Sequence, residues 1–141
     1  MAITNATVLT TSGKAIVTGL TTFLTSTKPQ YLGVGNGATA GSRTAAVGDT
    51  ALSAEIGSGS RITCTLTQQT TSVANDTVQC VGTWTSGGTY TIDEAFITTN
   101  QTIGTNTATN GIGAFISTTI VPQVGLLSGD AIQITAKCQF T

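Results

Sequence analysis

Arg61-Ile62-Thr63-Cys64-Thr65-Leu66-Thr67-Gln68, and later Thr77-Val78-Gln79-Cys80-Val81-Gly82-Thr83-Trp84-Thr85, decide the fold class. In the first run Ile62, Cys64 and Leu66 alternate with Thr63, Thr65 and Thr67. In the second, Val78, Cys80 and Trp84 share one face. A period of two is the signature of a strand with one face buried and one wet. Asn75-Asp76 just before the second run supplies turn chemistry, so the pair predicts a hairpin.

The same period recurs on both sides. Gln30 to Val34 predicts a short strand running into Gly33-Val34-Gly35-Asn36-Gly37, whose glycines suggest a backbone bend with positive φ. Residues 36–50 predict an irregular loop, and Ala51 to Ile56 a weak strand. Gly87-Gly88 turns the chain into Thr89 to Thr99, two strands or one bent around Asp93-Glu94. Residues 100–111 predict a loop, Ala114 to Ile120 a strand, and Pro122 to Gly129 a connection. Ala131 to Phe140 is the most regular strand, with Ile132, Ile134, Ala136, Cys138 and Phe140 on one face. Seven or eight strands at this spacing predict a mainly all-β, jelly-roll-like β-sandwich over residues 30–141.

The period changes only near the N-terminus. Ile16, Leu20, Phe23 and Leu24 form a helical stripe, capped by Thr11 or Ser12 and stopped at Lys28-Pro29, which predicts one helix over residues 12–27. Residues 1–11 alternate through Ile3, Ala6 and Val8. They read either as an arm adding a strand to a partner sheet or as an edge strand of the chain's own sandwich.

Composition agrees with the periodicity. Of the 141 residues, 32 are Thr, which is β-branched and suits strands, and 17 are Gly. A chain this size buries roughly two-thirds of its surface, enough for a single domain over residues 1–141. Only five Lys or Arg and six Asp or Glu are present, with no His. Charged residues are 8% of the chain, against roughly 25% in an average domain. No acid–base constellation is in view, so the expectation is not an enzyme, with no cofactor, no metal and no small-molecule substrate. Five cations cannot form the basic patch a nucleic acid requires. No apolar run is long enough for a membrane span, and the opening residues lack a signal-peptide pattern.

Few residues stand out individually. Asp49, Glu55 and Arg61 lie close together in a charge-poor chain and read as a structural ion pair. Asp93-Glu94, with Asp130, lacks calcium-site spacing and reads as solvated strand ends. Cys64, Cys80 and Cys138 read as buried thiols, with a Cys64–Cys80 bridge as the alternative. Tyr31, Trp84 and Tyr90 are core aromatics with polar tips, and with Ile3 and Val8 they are candidate partner contacts.

Tyr31-Leu32-Gly33-Val34-Gly35-Asn36-Gly37, then Gly48-Asp49-Thr50-Ala51-Leu52-Ser53-Ala54-Glu55 with Arg61 after it, resembles the front end of small virion proteins of tailed bacteriophages. Thr91-Ile92-Asp93-Glu94-Ala95-Phe96 and Ser128-Gly129-Asp130-Ala131-Ile132-Gln133-Ile134 resemble their back end. One departure is Val34, where many related sequences carry Trp. In mass and composition the chain is most similar to capsid cement (decoration) proteins of the Bordetella phage type. The resemblance implies a homodimer on the outer capsid surface of the virion, assembled in the host cytoplasm. Its partner would be the major capsid protein, cemented against internal pressure. The alternative is a tail or fibre component with a host-receptor or tail-assembly binding role.

Overall fold

The structure, a computed structural model, describes residues 4–21, 28–36, 44–57, 61–103 and 114–140. Over these residues the chain is an all-β sandwich of two antiparallel sheets with one short helix. The elements are β1 (Thr4–Leu9), α1 (Thr11–Thr21), β2 (Tyr31–Gly35), β3 (Glu55–Ile56), β4 (Ile62–Thr63), β5 (Thr65–Gln69), β6 (Thr77–Thr85), β7 (Tyr90–Thr98), β8 (Ala114–Leu126) and β9 (Ala131–Gln139). The larger sheet runs β1-β8-β7-β2-β3, with β4 also on β2; the smaller runs β5-β6-β9.

The two periodic runs do form a hairpin, with Leu66 opposite Cys80 and Thr65 opposite Val81. The first run is not one strand, however. Ile62–Thr63 pairs with β2 in the large sheet, and the chain then crosses so that Thr65–Gln69 pairs with β6 in the small one. Cys64 is the crossing point, its N–H donating to the Gln30 carbonyl at 2.7 Å. Alternation survives the crossing because both sheets bury the same face against one core. That core joins Leu32, Val34, Ala95 and Ile97 of the large sheet to Cys80, Ile134 and Ala136 of the small one. A Cβ on Gly82 would lie 2.9 Å from Leu32 Cδ2 and 3.0 Å from Cys64 Sγ, so glycine there lets the sheets close.

Residues 4–9 are not an arm. They pair in register with β8, Thr4 opposite Val121 through Leu9 opposite Ile116, as the sandwich's own edge strand. Ile3 lies outside the described residues. The helix is described over Thr11–Thr21, and residues 22–27 of the expected span, with Phe23 and Leu24, lie outside. Its cap is Thr10, whose buried Oγ1 accepts the Gly13 N–H at 2.9 Å. Ile16 anchors the helix in the main core.

Three further expectations change. Gly33 and Gly35 lie within β2, and neither has a positive φ. Gly33 stands opposite Phe96, and Gly35 opposite Glu94. A Cβ at Gly33 would strike the Phe96 ring, and at Gly35 it would come within 2.5 Å of Glu94 Oε1. The glycines make room for side chains rather than bending the chain. Pro122 to Leu126 is strand, not connection, because β8 continues through a bulge. Asp93 alone stands opposite residues 120–123, which places a proline where the ladder is already interrupted. Of Ala51 to Ile56, only Glu55–Ile56 is strand. The preceding residues cover the outer face of the large sheet, where Leu52 packs on Phe96 and the Ala45 N–H donates to Thr119 Oγ1 at 2.6 Å.

Candidate functional site

Two of the acids point inward. Asp93-Glu94 is not solvated: both side chains sit mid-strand at 1% exposure. Glu94 Oε1 accepts the Ala54 N–H at 2.9 Å, which ties the covering segment to the sheet, and Asp93 Oδ2 accepts from Gln123 Nε2 at 3.0 Å. A buried carboxylate requires such donors, because an unpaired one is strongly penalised.

Glu55 and Arg61 form the expected ion pair. Nε and Nη2 of Arg61 donate to the two carboxylate oxygens of Glu55 at 2.6 and 2.8 Å. Nη1 donates to the carbonyls of Asn100 and Thr102 at 2.8 and 2.7 Å, and the guanidinium lies 4.8 Å from the Phe96 ring centroid. With the Arg61 side chain 0% exposed and Glu55 10%, this fork ties β3 and β4 to the 100–102 segment. Asp49 has a different place: its Oδ2 accepts the Ala46 N–H at 2.8 Å and closes the 46–49 turn.

The other two carboxylates organise loops. Asp76 accepts the N–H groups of Thr71, Ser72 and Val73, and Gln139 Nε2 as well. The Val73 N–H above all, with those of Ser72 and Thr71, holds its carboxyl well below the usual carboxylate range. Asp130 Oδ2 accepts the Leu127 N–H at 2.8 Å across the β8–β9 turn. All six carboxylates are therefore hydrogen-bonded within the chain.

Trp84 and Tyr90 meet edge to face, ring centroids 6.1 Å apart at 61°. They flank a groove of about 750 Å³ floored by Leu32, Val34, Ile56 and Ile62, with Glu55 and Arg61 on its wall. Tyr31 and Val8 lie elsewhere, half-buried in β2 and β1, and Gln30 Nε2 donates to the Tyr31 hydroxyl at 3.3 Å. Cys64, Cys80 and Cys138 are free and buried. Burial pushes the Cys64 thiol up to about 11; burial, and then the two neighbouring thiols, push Cys80 to about 12. Such thiols are poor nucleophiles at neutral pH.

The outward face of the small sheet completes the picture. Its registered ranks are Gln69, Thr77 and Gln139; Thr67, Gln79 and Lys137; Thr65, Val81 and Thr135; Thr83 and Gln133; Thr85 and Ala131. These side chains are neutral except Lys137. The periodicity located this face; the isolation of Lys137 on it passed unremarked, though one charge in an alternating Thr/Gln row was visible. Among the described residues no group of three or more His, Cys, Asp or Glu is placed to hold a metal ion, and no helix is long and apolar enough to cross a membrane. The chain matches no family model, no curated protein and no solved structure.

Proposed function

We propose that the protein is a structural component of a virus particle. In this reading it docks on the outer capsid surface, alone or as a homodimer, and cements neighbouring major capsid proteins against internal pressure. The observation that carries the reading is where the charge goes. Every carboxylate side chain is bonded inside the chain, while an outward sheet face carries mostly Thr and Gln, with Lys137 as the one charged residue in its strands.

Burying an unpaired ion against a partner costs several kcal/mol, a penalty a neutral hydroxyl face avoids. Threonine is stiff at χ1, so ordering it at an interface also costs little rotamer entropy. Each hydrogen bond to a partner contributes only about 0.5–1.5 kcal/mol net, but many copies, each attached at more than one point, add up to a durable shell. Nothing in this mechanism calls for catalysis or a cofactor, and the resemblance to phage virion proteins points the same way.

The test is retention on purified particles. In NaCl up to about 1 M, where the Debye length falls to about 3 Å, the protein should stay bound. Its copy number should stand in simple ratio to the major capsid protein. Release at moderate salt would overturn the neutral docking mechanism. A copy number matching the tail would move the protein to the tail or fibre.

A further inference from the structure

We propose that the groove beside Trp84 is a strand-addition site, and that its occupant is an extended, uncharged segment of the major capsid protein with an apolar side chain between two polar ones. The inference rests on the structural reading above and names one attachment point and the chemistry of the partner segment.

The site follows from the crossing at Cys64. β5 lies beside β6 only from Gln69 opposite Thr77 to Thr65 opposite Val81, and just before Thr65 the chain belongs to β2's sheet. β6 runs on to Thr85 with β9 on one side, and among the described residues no strand pairs with its other side beyond Val81. Parity assigns the polar groups along that vacated lane. The Ser86 N–H donates to the Asp130 carbonyl and the Ser86 carbonyl accepts the Gly129 N–H, while the Asp76 carbonyl accepts the Phe140 N–H. Even-numbered residues along β6 therefore face β9. In an antiparallel ladder the residues between them turn their N–H and C=O the other way. For Thr77, Gln79 and Val81 that direction is onto β5; for Thr83 and Thr85 it is into the groove, which both line. An open row of main-chain donors and acceptors is a template for a further strand.

The rest of the groove sets the occupant's sequence. A strand added beside β6 alternates its side chains as β6 does. A residue alongside Trp84 then points inward, and its two neighbours point outward with Thr83 and Thr85. Inward lies the apolar floor, Leu32 and Val34 with the half-buried Ile56 and Ile62, in a groove of about 750 Å³. On the wall Glu55 and Arg61 neutralise each other, so a charged side chain would enter without a counter-charge. A second copy does not offer such a segment. The open stretch, Gly82–Thr85, is four residues long, stopped by Thr65 at one end and by the Gly87-Gly88 bend at the other. The free sheet edges of another copy, β1, β5 and β9, run six, five and nine residues, and the short β3 and β4 line the groove themselves. An extended segment with no sheet of its own fits the slot.

The experiment is hydrogen exchange resolved at single amides, on the full chain free and bound to empty shells assembled from the major capsid protein of the same virus. In the free protein the Thr83 and Thr85 amides should exchange at least about tenfold faster than those of Gly82 and Trp84, which face β9. Protection of both in the free monomer would mean that the lane is already filled, and would overturn the inference. On shells both should slow by at least about tenfold. If the protein binds shells and both amides keep their free rates, the cement reading stands and this groove is not the docking site. Thr85→Pro removes a donor from the open side alone. Circular dichroism should therefore show an intact fold, while shell binding weakens at least about tenfold. Should that variant fail to fold, the wild-type exchange rates still decide. Thr67→Lys, on the outward face away from the groove, should bind as wild type. Binding lost in Thr67→Lys and kept in Thr85→Pro would put the contact on the sheet face and overturn the inference. If wild type sediments as an oligomer that Thr85→Pro splits, the occupant is a second copy and the inference is again overturned. If wild type itself does not bind shells, the cement reading falls, and this inference falls with it.

Discussion

At the residue scale, Arg61 shows how one cation can organise distant backbone. Its fork neutralises Glu55 while satisfying two carbonyls of the 100–102 segment. Arg61→Met keeps much of the stem's packing on Phe96 but leaves a largely buried carboxylate and two acceptors without their donor. Breaking a buried pair from one side costs about 3–5 kcal/mol, and urea denaturation should show a loss of that order. Unchanged stability would mean that water replaces the guanidinium. Gly33→Ala is a second test. Its Cβ would meet the Phe96 ring and lie 2.6 Å from Glu55 Oε1, an overpacking that should cost about 1–3 kcal/mol. The ion pair was legible because charges are rare in this chain, so Asp49, Glu55 and Arg61 stand out together; that Glu55 and not Asp49 is the partner was not. The reason for the glycine was not, since it depends on which residue of a remote strand lies opposite Gly33.

At the element scale, the strands with one clean buried face were legible almost to the residue. β6 is Thr77–Thr85 and β9 is Ala131–Gln139; β9 alternates along its length, while in β6 the outward-facing Thr77 is buried, its hydroxyl bonded to that of Thr71 in the preceding loop. Periodicity said less where both faces are covered. β7 is buried on successive residues from Ile92 to Thr98, because residues 44–54 cover the side that the core does not. Its acids were therefore misread as wet. The β5–β6 loop was read as a turn at Asn75-Asp76, and there Asn75 does take a positive φ of 61°. What holds the loop is the Asp76 carboxylate. Its pKa is depressed in the fold, so as pH falls the unfolded chain takes up the proton first. The stabilisation is therefore complete above the ordinary carboxylate pKa of about 3.9 and is lost as pH drops through the lower folded value. Asp76→Asn should be less stable than wild type at neutral pH, and acid should narrow the difference. Urea midpoints at several pH values measure it. A gap that stays constant with pH would assign the loop's order to its shape instead of its charge.

At the scale of the whole molecule, what is closed is the space between the sheets, and three thiols report on it. Cys64 sits where the chain crosses from one sheet to the other, and Cys80 and Cys138 lie on adjacent strands of the small sheet, all facing the shared core. No local fraying of one edge reaches all three; the sheets must separate. In native buffer near neutral pH, Ellman's reagent should find no fast thiol, and denaturant should release three. In mild denaturant all three should appear at one common rate, the rate of global opening. A single thiol reacting quickly in the native protein would show that one corner of the sandwich opens alone. Alkali gives the same interior a second readout. Cys64 and Cys80 ionise near 11 and 12 in the fold but near 9 when exposed, so the unfolded chain loses its protons first as pH rises. Their contribution is whole below about pH 9 and drains away through the folded values. Cys80→Ala removes the thiol held most strongly neutral, so this variant should lose less stability than wild type between about pH 9 and 11. Parallel curves for the two proteins would mean that the thiols meet water before the sheets part.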